Sequence, residues 1–216
     1  MIPAPFVPAK AGTQSDQRQP ALLGKDWVPA FAGTNGRKSN MRLLAISGSL
    51  RAASSNTAAL EAAARLAPSG VTIELYKGLG ELPHFNPDFD NEKLPAIVAA
   101  LRAEIGAVDG VLISSPEYAR GVPGSLKNAL DWLVGSLEFP NKFVAVMNAS
   151  PRATHADLQL RLTLATMSAR LVEPASITLP LLGRALDADA IVADESLSGP
   201  LRTAVAAFAQ VIGTEP

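Results

Sequence analysis

From Met41 onward, the chain alternates between short apolar runs and longer stretches in which apolar residues recur at helical spacing. The short runs predict five strands, at residues 42–47, 71–75, 108–114, 143–148 and 171–177. The longer stretches predict helices at residues 54–66, 94–105, 125–134, 154–169 and 195–212. Strands joined by helical crossovers form a parallel sheet with helices on both faces. We therefore expect an α/β fold with a doubly wound five-stranded parallel sheet in the order 2-1-3-4-5.

Residues 1–40 lack this periodicity and are rich in Pro, Gly, Gln and Asn. They contain an internal repeat, VPAKAGT at residues 7–13 and VPAFAGT at residues 28–34. We interpret them as a disordered extension or as the product of a misassigned start, with Met41 as the true first residue. The alternative is a genuine partner-binding extension. Residues 41–216 then form the functional domain.

Composition narrows the classes of function. The full chain has a net charge of −1, and residues 41–216 hold fourteen basic and eighteen acidic residues, a balance of −4. A mildly acidic body gives no reason to expect nucleic acid or an anionic membrane as partner. The absence of cysteine excludes disulfides, thiolate metal sites and a cysteine nucleophile, and His84 and His155 lie far apart in sequence. No apolar run reaches the ~20 residues that span a bilayer. We expect a cytoplasmic protein without a metal site.

In a doubly wound sheet, ligands bind beyond the carboxyl ends of the strands. The first such loop, residues 48–57, offers Gly48 for a sharp turn, several hydroxyl groups and the positive charge of Arg51. The helix that follows adds free backbone N–H groups. Neither GxxxxGK[ST] nor GxGxxG is present, which argues against ATP and against a standard dinucleotide site. The loop predicts binding of a phosphate ester; the alternative is an ordinary capped turn with Ser54 or Ser55 as N-cap.

At this point the chain resembles the NADPH-dependent FMN reductase family, whose members include quinone and chromate reductases. The resemblance covers nearly all of residues 41–180 and rests on GSLRAASSN at 48–56, LPHFNPDFD at 82–90, SPEYARGVPGSLKNALDWL at 115–133 and ASPR at 149–152. It implies a flavodoxin-like fold. It also implies that the FMN phosphate is held by Ser49, Arg51, Ser55, Asn56 and Thr57, and that the isoalloxazine lies against Pro116, Glu117, Tyr118 and Ser150.

The chain departs from the family pattern after Tyr118. The family often has Asn there, whereas this sequence has Ala119 followed by Arg120, and we hypothesise that Arg120 reaches the entering nicotinamide dinucleotide. Other roles remain open: Glu117 as a solvated acid or a cap on nearby N–H groups, and Tyr118 as a half-buried packing residue. We expect Asn128 and Asp131 to make structural polar contacts, and Trp132 to pack in the core or at a subunit interface. His84 is expected to be a surface residue of its loop, and His155 to be structural. Phe85, Asn86 and Asp88 are candidates to wall the pocket, within one chain or across a dimer interface.

The resemblance implies an NAD(P)H-dependent FMN or quinone reductase. NADPH or NADH would give hydride to bound FMN, and the reduced flavin would pass it to a quinone, a free flavin or a similar small acceptor. The hydride step needs no protein acid or base, so no catalytic side chain is expected. Members of the family are usually homodimers or homotetramers. Two alternatives remain, a flavodoxin-type electron carrier, for which a charge of −4 is weak, and a phosphate-ester binding module without flavin.

Overall fold

The computed structural model describes residues 40–214, which belong to one compact unit. The interpretation of residues 1–40 falls almost entirely outside the described residues. The strands are β1 Met41–Ser47, β2 Val71–Leu75, β3 Gly110–Ser114, β4 Phe143–Asn148, β5 Arg170–Leu171 and β6 Ile177–Thr178. The helices are α1 Ser55–Arg65, α2 Ala96–Gly106, α3 Gly124–Val134, α4 Thr154–Thr166, α5 Ala188–Ala193 and α6 Glu195–Gly213.

The strands form one parallel sheet in the order β2-β1-β3-β4-β5, with β6 paired to β4. This confirms the predicted strand order. Register is continuous across the centre, where Ala45 of β1 lies opposite Leu75 of β2 and Leu112 of β3, and Leu112 lies opposite Ala145 of β4. Such a sheet brings the loops that follow β1, β3 and β4 to one edge.

Among the described residues, the sheet has six strands rather than five. Contrary to the prediction, the fifth strand is not continuous over residues 171–177. It is broken into β5 and β6 by a 3₁₀ turn, Glu173–Ala175. Pro174 in that turn has no N–H to give to a sheet. The side chain of Ser176 replaces one backbone acceptor, because its Oγ accepts the Val146 N–H at 3.0 Å.

Each face of the sheet is covered by its own hydrophobic cluster. Leu43 and Ala45 of β1 point into a cluster with α1, α5 and α6, whereas Leu44 and Ile46 point into a cluster with α2, α3 and α4. This alternation is what a strand buried on both faces requires. Gly110 opens β3 under α6, where a Cβ would lie 2.8 Å from side-chain atoms of that helix, so the close approach needs glycine.

Candidate functional site

A cavity of about 510 Å³ opens at the carboxyl ends of the strands. Its walls come from the loops after β1, β3 and β4 and from a segment that includes Leu182 and Gly183. The β1 and β3 ends are joined there, because the Gly48 N–H donates to the Ser114 carbonyl at 2.8 Å. The structure brings eight of the nine predicted site residues to this cavity: Ser49, Arg51, Ser55, Asn56, Pro116, Glu117, Tyr118 and Ser150.

Thr57, the ninth, lies beside this cavity and lines an adjoining one of about 340 Å³. The Thr57 hydroxyl is 2.8 Å from Ser47 Oγ, so the two hydroxyl groups share a hydrogen bond. Ser47 Oγ also accepts the Ser49 N–H at 3.3 Å. Thr57 therefore braces the start of the loop after β1 from the first turn of α1.

The loop after β1 approaches α3 closely. A Cβ on Gly48 would lie 3.0 Å from Leu126 Cδ2 and 3.3 Å from Ser115 Oγ, which explains the glycine. Ser54 is the N-cap of α1, and its Oγ accepts the Thr57 N–H at 3.3 Å. The capped turn that was the alternative to a phosphate site is thus present.

Capping leaves donors at the start of α1 free. Among residues 40–214, no group accepts the N–H of Ser55 or of Asn56. Free N–H groups at a helix start attract anions, and the helix dipole adds to that attraction. The side chain of Asn56 is buried and its Oδ1 accepts the Ser114 hydroxyl at 2.9 Å. Asn56 therefore joins α1 to the end of β3, and only its backbone N–H and side-chain NH₂ remain for a ligand.

The loop after β3 is fixed to α4 through Glu117. Its Oε2 accepts the backbone N–H of His155 at 2.9 Å and of Ala156 at 3.0 Å. These groups belong to the first turn of α4, which has no side-chain cap of its own. The alternative that Glu117 caps nearby N–H groups is confirmed, and Glu117 ties together two walls of the cavity.

A tight turn follows at Tyr118–Gly121, where the two residues exchange backbone hydrogen bonds of 3.1 and 3.0 Å. Its central residues, Ala119 and Arg120, have left-handed φ angles of 49° and 62°. The Val122 N–H donates to Gln159 Oε1 of α4 at 2.8 Å, a second contact that holds this segment against α4. Tyr118 is 54% exposed, so about half of its surface is open to a ligand, and the alternative of a half-buried packing residue stays open.

The loop after β4 is held by Asn148. Its Oδ1 accepts the Ser150 N–H at 2.9 Å, and its Nδ2 donates to the Ala153 carbonyl at 3.2 Å. Sequence reasoning missed Asn148, although its place at the carboxyl end of a predicted strand was the signal that marks such residues. It also missed Leu182 and Gly183, which follow the interrupted end of the sheet.

The loop at residues 82–90 packs on α3. Asn128 Oδ1 accepts the Phe85 N–H at 2.8 Å, and the Pro83 carbonyl accepts from Asn128 Nδ2 at 2.9 Å and from Trp132 Nε1 at 2.8 Å. Asn128 is therefore structural, as predicted, and Trp132 is fully buried beside Phe85, with ring centroids 5.0 Å apart. Asp131 pairs with Lys127 at 2.6 Å.

The expectation that the 82–90 loop helps to wall the pocket is not met within one copy of the chain. No residue from 82 to 90 lines the cavity in the part of the chain that the structure describes. Both His84 and His155 are exposed, and residues 40–214 contain no group of three or more His, Asp or Glu placed to hold a metal ion. Within the same residues, no helix is long and apolar enough to cross a membrane.

Comparison with known families matches residues 41–181 to a family described as NADPH-dependent FMN reductase. The chain belongs to this family. The match begins at the first residue of β1 and takes in the loops after β1, β3 and β4, so the whole cavity except its Leu182–Gly183 edge lies inside the region that the family shares.

Individual proteins that this chain resembles are also reductases or oxidoreductases by name. The chain is 34% identical over 161 residues to an NAD(P)H-dependent FMN reductase of Pseudomonas aeruginosa, an alignment that covers 72% of this chain and 86% of the relative. It is 36% identical over 94 residues to a quinone reductase of Escherichia coli, covering 43% of this chain and 50% of the relative. Among solved structures, it resembles the flavoenzyme NAD(P)H:(acceptor) oxidoreductase of Paracoccus denitrificans, with a TM-score of 0.68, 30% identity, and coverage of 80% and 97%.

The residues present fit FMN, the cofactor in the family's name. A phosphate ester needs hydrogen-bond donors and positive charge, and the start of α1 supplies free N–H groups, the hydroxyls of Ser49 and Ser55, and Arg51. The cavity of about 510 Å³ lies within the roughly 300–1,000 Å³ typical of sites for cofactors and small ligands. Its remaining walls are backbone-rich loops with an exposed tyrosine, which suit a flat ring system.

Proposed function

We propose that this chain is an FMN-dependent NAD(P)H oxidoreductase that reduces quinones, free flavins or similar small acceptors. The observation that carries the proposal is the pair of free N–H groups of Ser55 and Asn56 at the start of α1. Both residues, together with Arg51, line the cavity at the carboxyl ends of the strands. Membership of the family supports FMN as the cofactor. The relatives, which are named FMN reductase and quinone reductase, support the reduction of small acceptors as the reaction.

In this proposal, the phosphate of FMN is held by Ser49, Arg51, Ser55 and Asn56, and Thr57 braces that loop through Ser47. The ring system lies between the segment Pro116–Glu117–Tyr118 and the loop that contains Ser150. FMN supplies the chemistry of hydride acceptance and donation when it is bound. The chain binds and orients it, and Glu117 keeps the two ring-contacting loops at a fixed spacing.

The assembly and location of the protein are also proposals. We expect a cytoplasmic homodimer or homotetramer. Leu158 and Leu162 lie one turn apart on α4 and are 66% and 70% exposed, which supports burial of this helix face against another copy of the chain. Sedimentation velocity tests this expectation, and a monomer at micromolar concentration contradicts it.

The cofactor proposal is tested by the absorbance spectrum of the purified protein after addition of FMN and removal of the unbound flavin. Bound flavin bands, and steady oxidation of NADPH with menadione as acceptor, are the expected result. A colourless protein contradicts the proposal and favours the phosphate-ester module. A flavin-containing protein that oxidises neither dinucleotide favours the electron carrier.

The FMN affinity of the Arg51→Ala protein tests whether Arg51 binds the FMN phosphate. The loss of a charged donor to a phosphate predicts a rise in the FMN Kd of roughly tenfold or more. Arg202→Ala is the matched control, because Arg202 lies on α6, outside the cavity, and pairs with Glu195. Equal FMN affinity in the two variants contradicts the assignment of Arg51.

A further inference from the structure

The arginines of this protein divide into two groups. Of the ten arginines in residues 40–214, seven have a partner within the protein. Six form ion pairs with acidic residues and Arg170 lies over the Phe143 ring; the six are Arg42, Arg65, Arg102, Arg161, Arg184 and Arg202. The guanidinium groups of the other three pair with no described residue: Arg51, Arg120 and Arg152.

Two of the three unpaired arginines line the cavity, and the third follows one of its lining residues closely in sequence. Arg51 lines it from the loop after β1 and Arg152 from the loop after β4. Arg120 lies two residues after Tyr118, which lines the cavity from the loop after β3. All three are exposed, so an entering ligand can reach them. In a body with a balance of −4, two unpaired arginines at one opening and a third two residues beyond its lining indicate an anionic ligand.

The backbone at Arg120 is strained. A left-handed conformation costs a residue with a Cβ about 1–2 kcal/mol, and here both Ala119 and Arg120 adopt it. Such strain persists only where the surroundings impose it. Here α4 imposes it: the Gln159 side-chain oxygen of α4 accepts the Val122 N–H, and two backbone N–H groups of α4 donate to the Glu117 carboxylate. Arg120 is thus presented at the tip of a turn that α4 holds rigidly.

The neighbouring carboxylate does not neutralise these arginines. Among the described residues, Glu117 is the one acidic residue that lines the cavity, and its carboxylate accepts two N–H groups of α4 rather than an arginine. The phosphate of FMN is one monoester, for which the start of α1 and Arg51 provide donors. Arg120 and Arg152 lie on the other two loops and remain for the second anionic ligand of the reaction.

That ligand is the nicotinamide dinucleotide, so the inference rests on the function proposed above. We propose that Arg120 and Arg152 bind its phosphate groups and give the enzyme a preference for NADPH over NADH. The ribose phosphate that distinguishes NADPH adds about −1.5 to −2 charge at pH 7. Two exposed arginines without partners therefore attract NADPH more strongly than NADH.

The test uses the full chain loaded with FMN and the variants Arg120→Ala, Arg152→Ala and their combination, with Arg202→Ala as the control. Titration calorimetry with NADP⁺ and with NAD⁺ measures binding without turnover. We expect the double variant to lose about tenfold in affinity for NADP⁺ and much less for NAD⁺. Steady-state kinetics should show the same pattern, with the NADPH KM rather than kcat carrying the change.

Replacement of both residues by lysine should restore most of the preference, because the positive charges return. An NADP⁺ affinity that stays unchanged in the double variant overturns the inference. An equal loss for NADP⁺ and NAD⁺ overturns the stated preference. These results are distinct from failure of the proposed function, in which the unmodified chain binds no FMN or oxidises neither dinucleotide.

Discussion

At the scale of single residues, several side chains at the cavity have polar groups that are already bonded within the protein. The side-chain oxygen of Asn56 accepts a hydrogen bond from the Ser114 hydroxyl, and the Glu117 carboxylate accepts two from backbone N–H groups of α4. The Thr57 hydroxyl shares a hydrogen bond with the Ser47 hydroxyl. A motif shared with a family indicates that such residues matter but does not separate contact with a ligand from support of the loop that makes the contact. The hydrogen bonds make that separation, and they leave the Arg51 guanidinium, the Ser55 hydroxyl and the Asn56 side-chain NH₂ free for a ligand. The Ser49 hydroxyl, whose oxygen accepts the Arg51 N–H at 3.3 Å, can still donate.

A buried hydroxyl outside the site gives the protein a pH dependence at alkaline pH. Burial, and then the charges of Glu104 and Glu81, raise the pKa of Tyr76 to about 12. The folded protein holds this proton more tightly than the unfolded chain does. The resulting stability is complete below pH 10, the ordinary pKa of tyrosine, and is lost as the pH rises towards 12.

Tyr76→Phe should therefore reduce the loss of stability between about pH 10 and 12, by roughly 1–3 kcal/mol. It should cost little at neutral pH, because the Tyr76 hydroxyl is buried without a hydrogen-bond partner among the described residues. Urea unfolding at several pH values measures both effects. Tyr118→Phe, at an exposed position, is the control, and a Tyr76→Phe protein with the unmodified alkaline profile contradicts the prediction.

The left-handed residues of the Tyr118–Gly121 turn predict a stabilising substitution. A two-residue turn with two positive φ angles favours Asn over Ala at its first central position. Ala119→Asn should raise the free energy of unfolding by roughly 0.5–1 kcal/mol.

The control for this substitution has the opposite expected sign. Ala99 is exposed within α2, where Asn is a poorer helix former than Ala, so Ala99→Asn should destabilise the protein by roughly 0.5 kcal/mol. Denaturant unfolding of both variants gives the comparison. A destabilised Ala119→Asn protein is evidence that side-chain space, rather than backbone conformation, decides this position.

At the scale of elements, local patterns predicted the strand order because each strand and each crossover helix has its own periodicity. The same patterns failed to predict the break in the fifth strand, where a 3₁₀ turn that contains Pro174 interrupts the apolar run. They identified Glu117 but not its partner, because the first turn of α4 lies 38 residues further along the chain. Contacts between elements of this kind depend on the packed structure, and a single sequence does not contain them in any local signal.

The link between Glu117 and α4 predicts a coupling between stability and the flavin environment. Glu117→Ala removes the cap of α4 and should lower the free energy of unfolding by about 1–2 kcal/mol. It should also change the visible circular dichroism of bound FMN, because two walls of the cavity are no longer joined. Glu117→Gln keeps an acceptor oxygen and should recover part of both effects.

Asp194 provides a matched control, since its Oδ1 accepts the Ser196 N–H at 3.0 Å and caps α6, whose residues do not line the cavity. Asp194→Ala should cost similar stability and leave the flavin spectrum unchanged. If Glu117→Ala shows the same result as Asp194→Ala, then Glu117 is a helix cap alone and does not position the cofactor.

At the scale of the whole molecule, the described elements of the fold and the described lining of the cavity lie within residues 41–213. The described members of both hydrophobic clusters begin in β1; one cluster extends to α6 and the other to the end of α4, and the family match begins at Met41. The described residues that line the cavity all lie between residues 49 and 183. The positive balance of residues 1–40, five basic against two acidic side chains, is opposite in sign to the rest of the chain.

A chain that begins at Met41 is therefore predicted to match the full chain in Tm, in FMN Kd and in NADPH oxidation. The physical reason is that, among the residues that the structure describes, every member of the two hydrophobic clusters and every lining residue of the cavity lies at or after Met41. Differential scanning calorimetry and flavin titration on the two purified chains make the comparison. N-terminal mass spectrometry of the natively expressed protein then tests Met41 as the first residue. A shorter chain that binds FMN more weakly, or a native protein that contains Trp27, is evidence that the first forty residues belong to the functional protein.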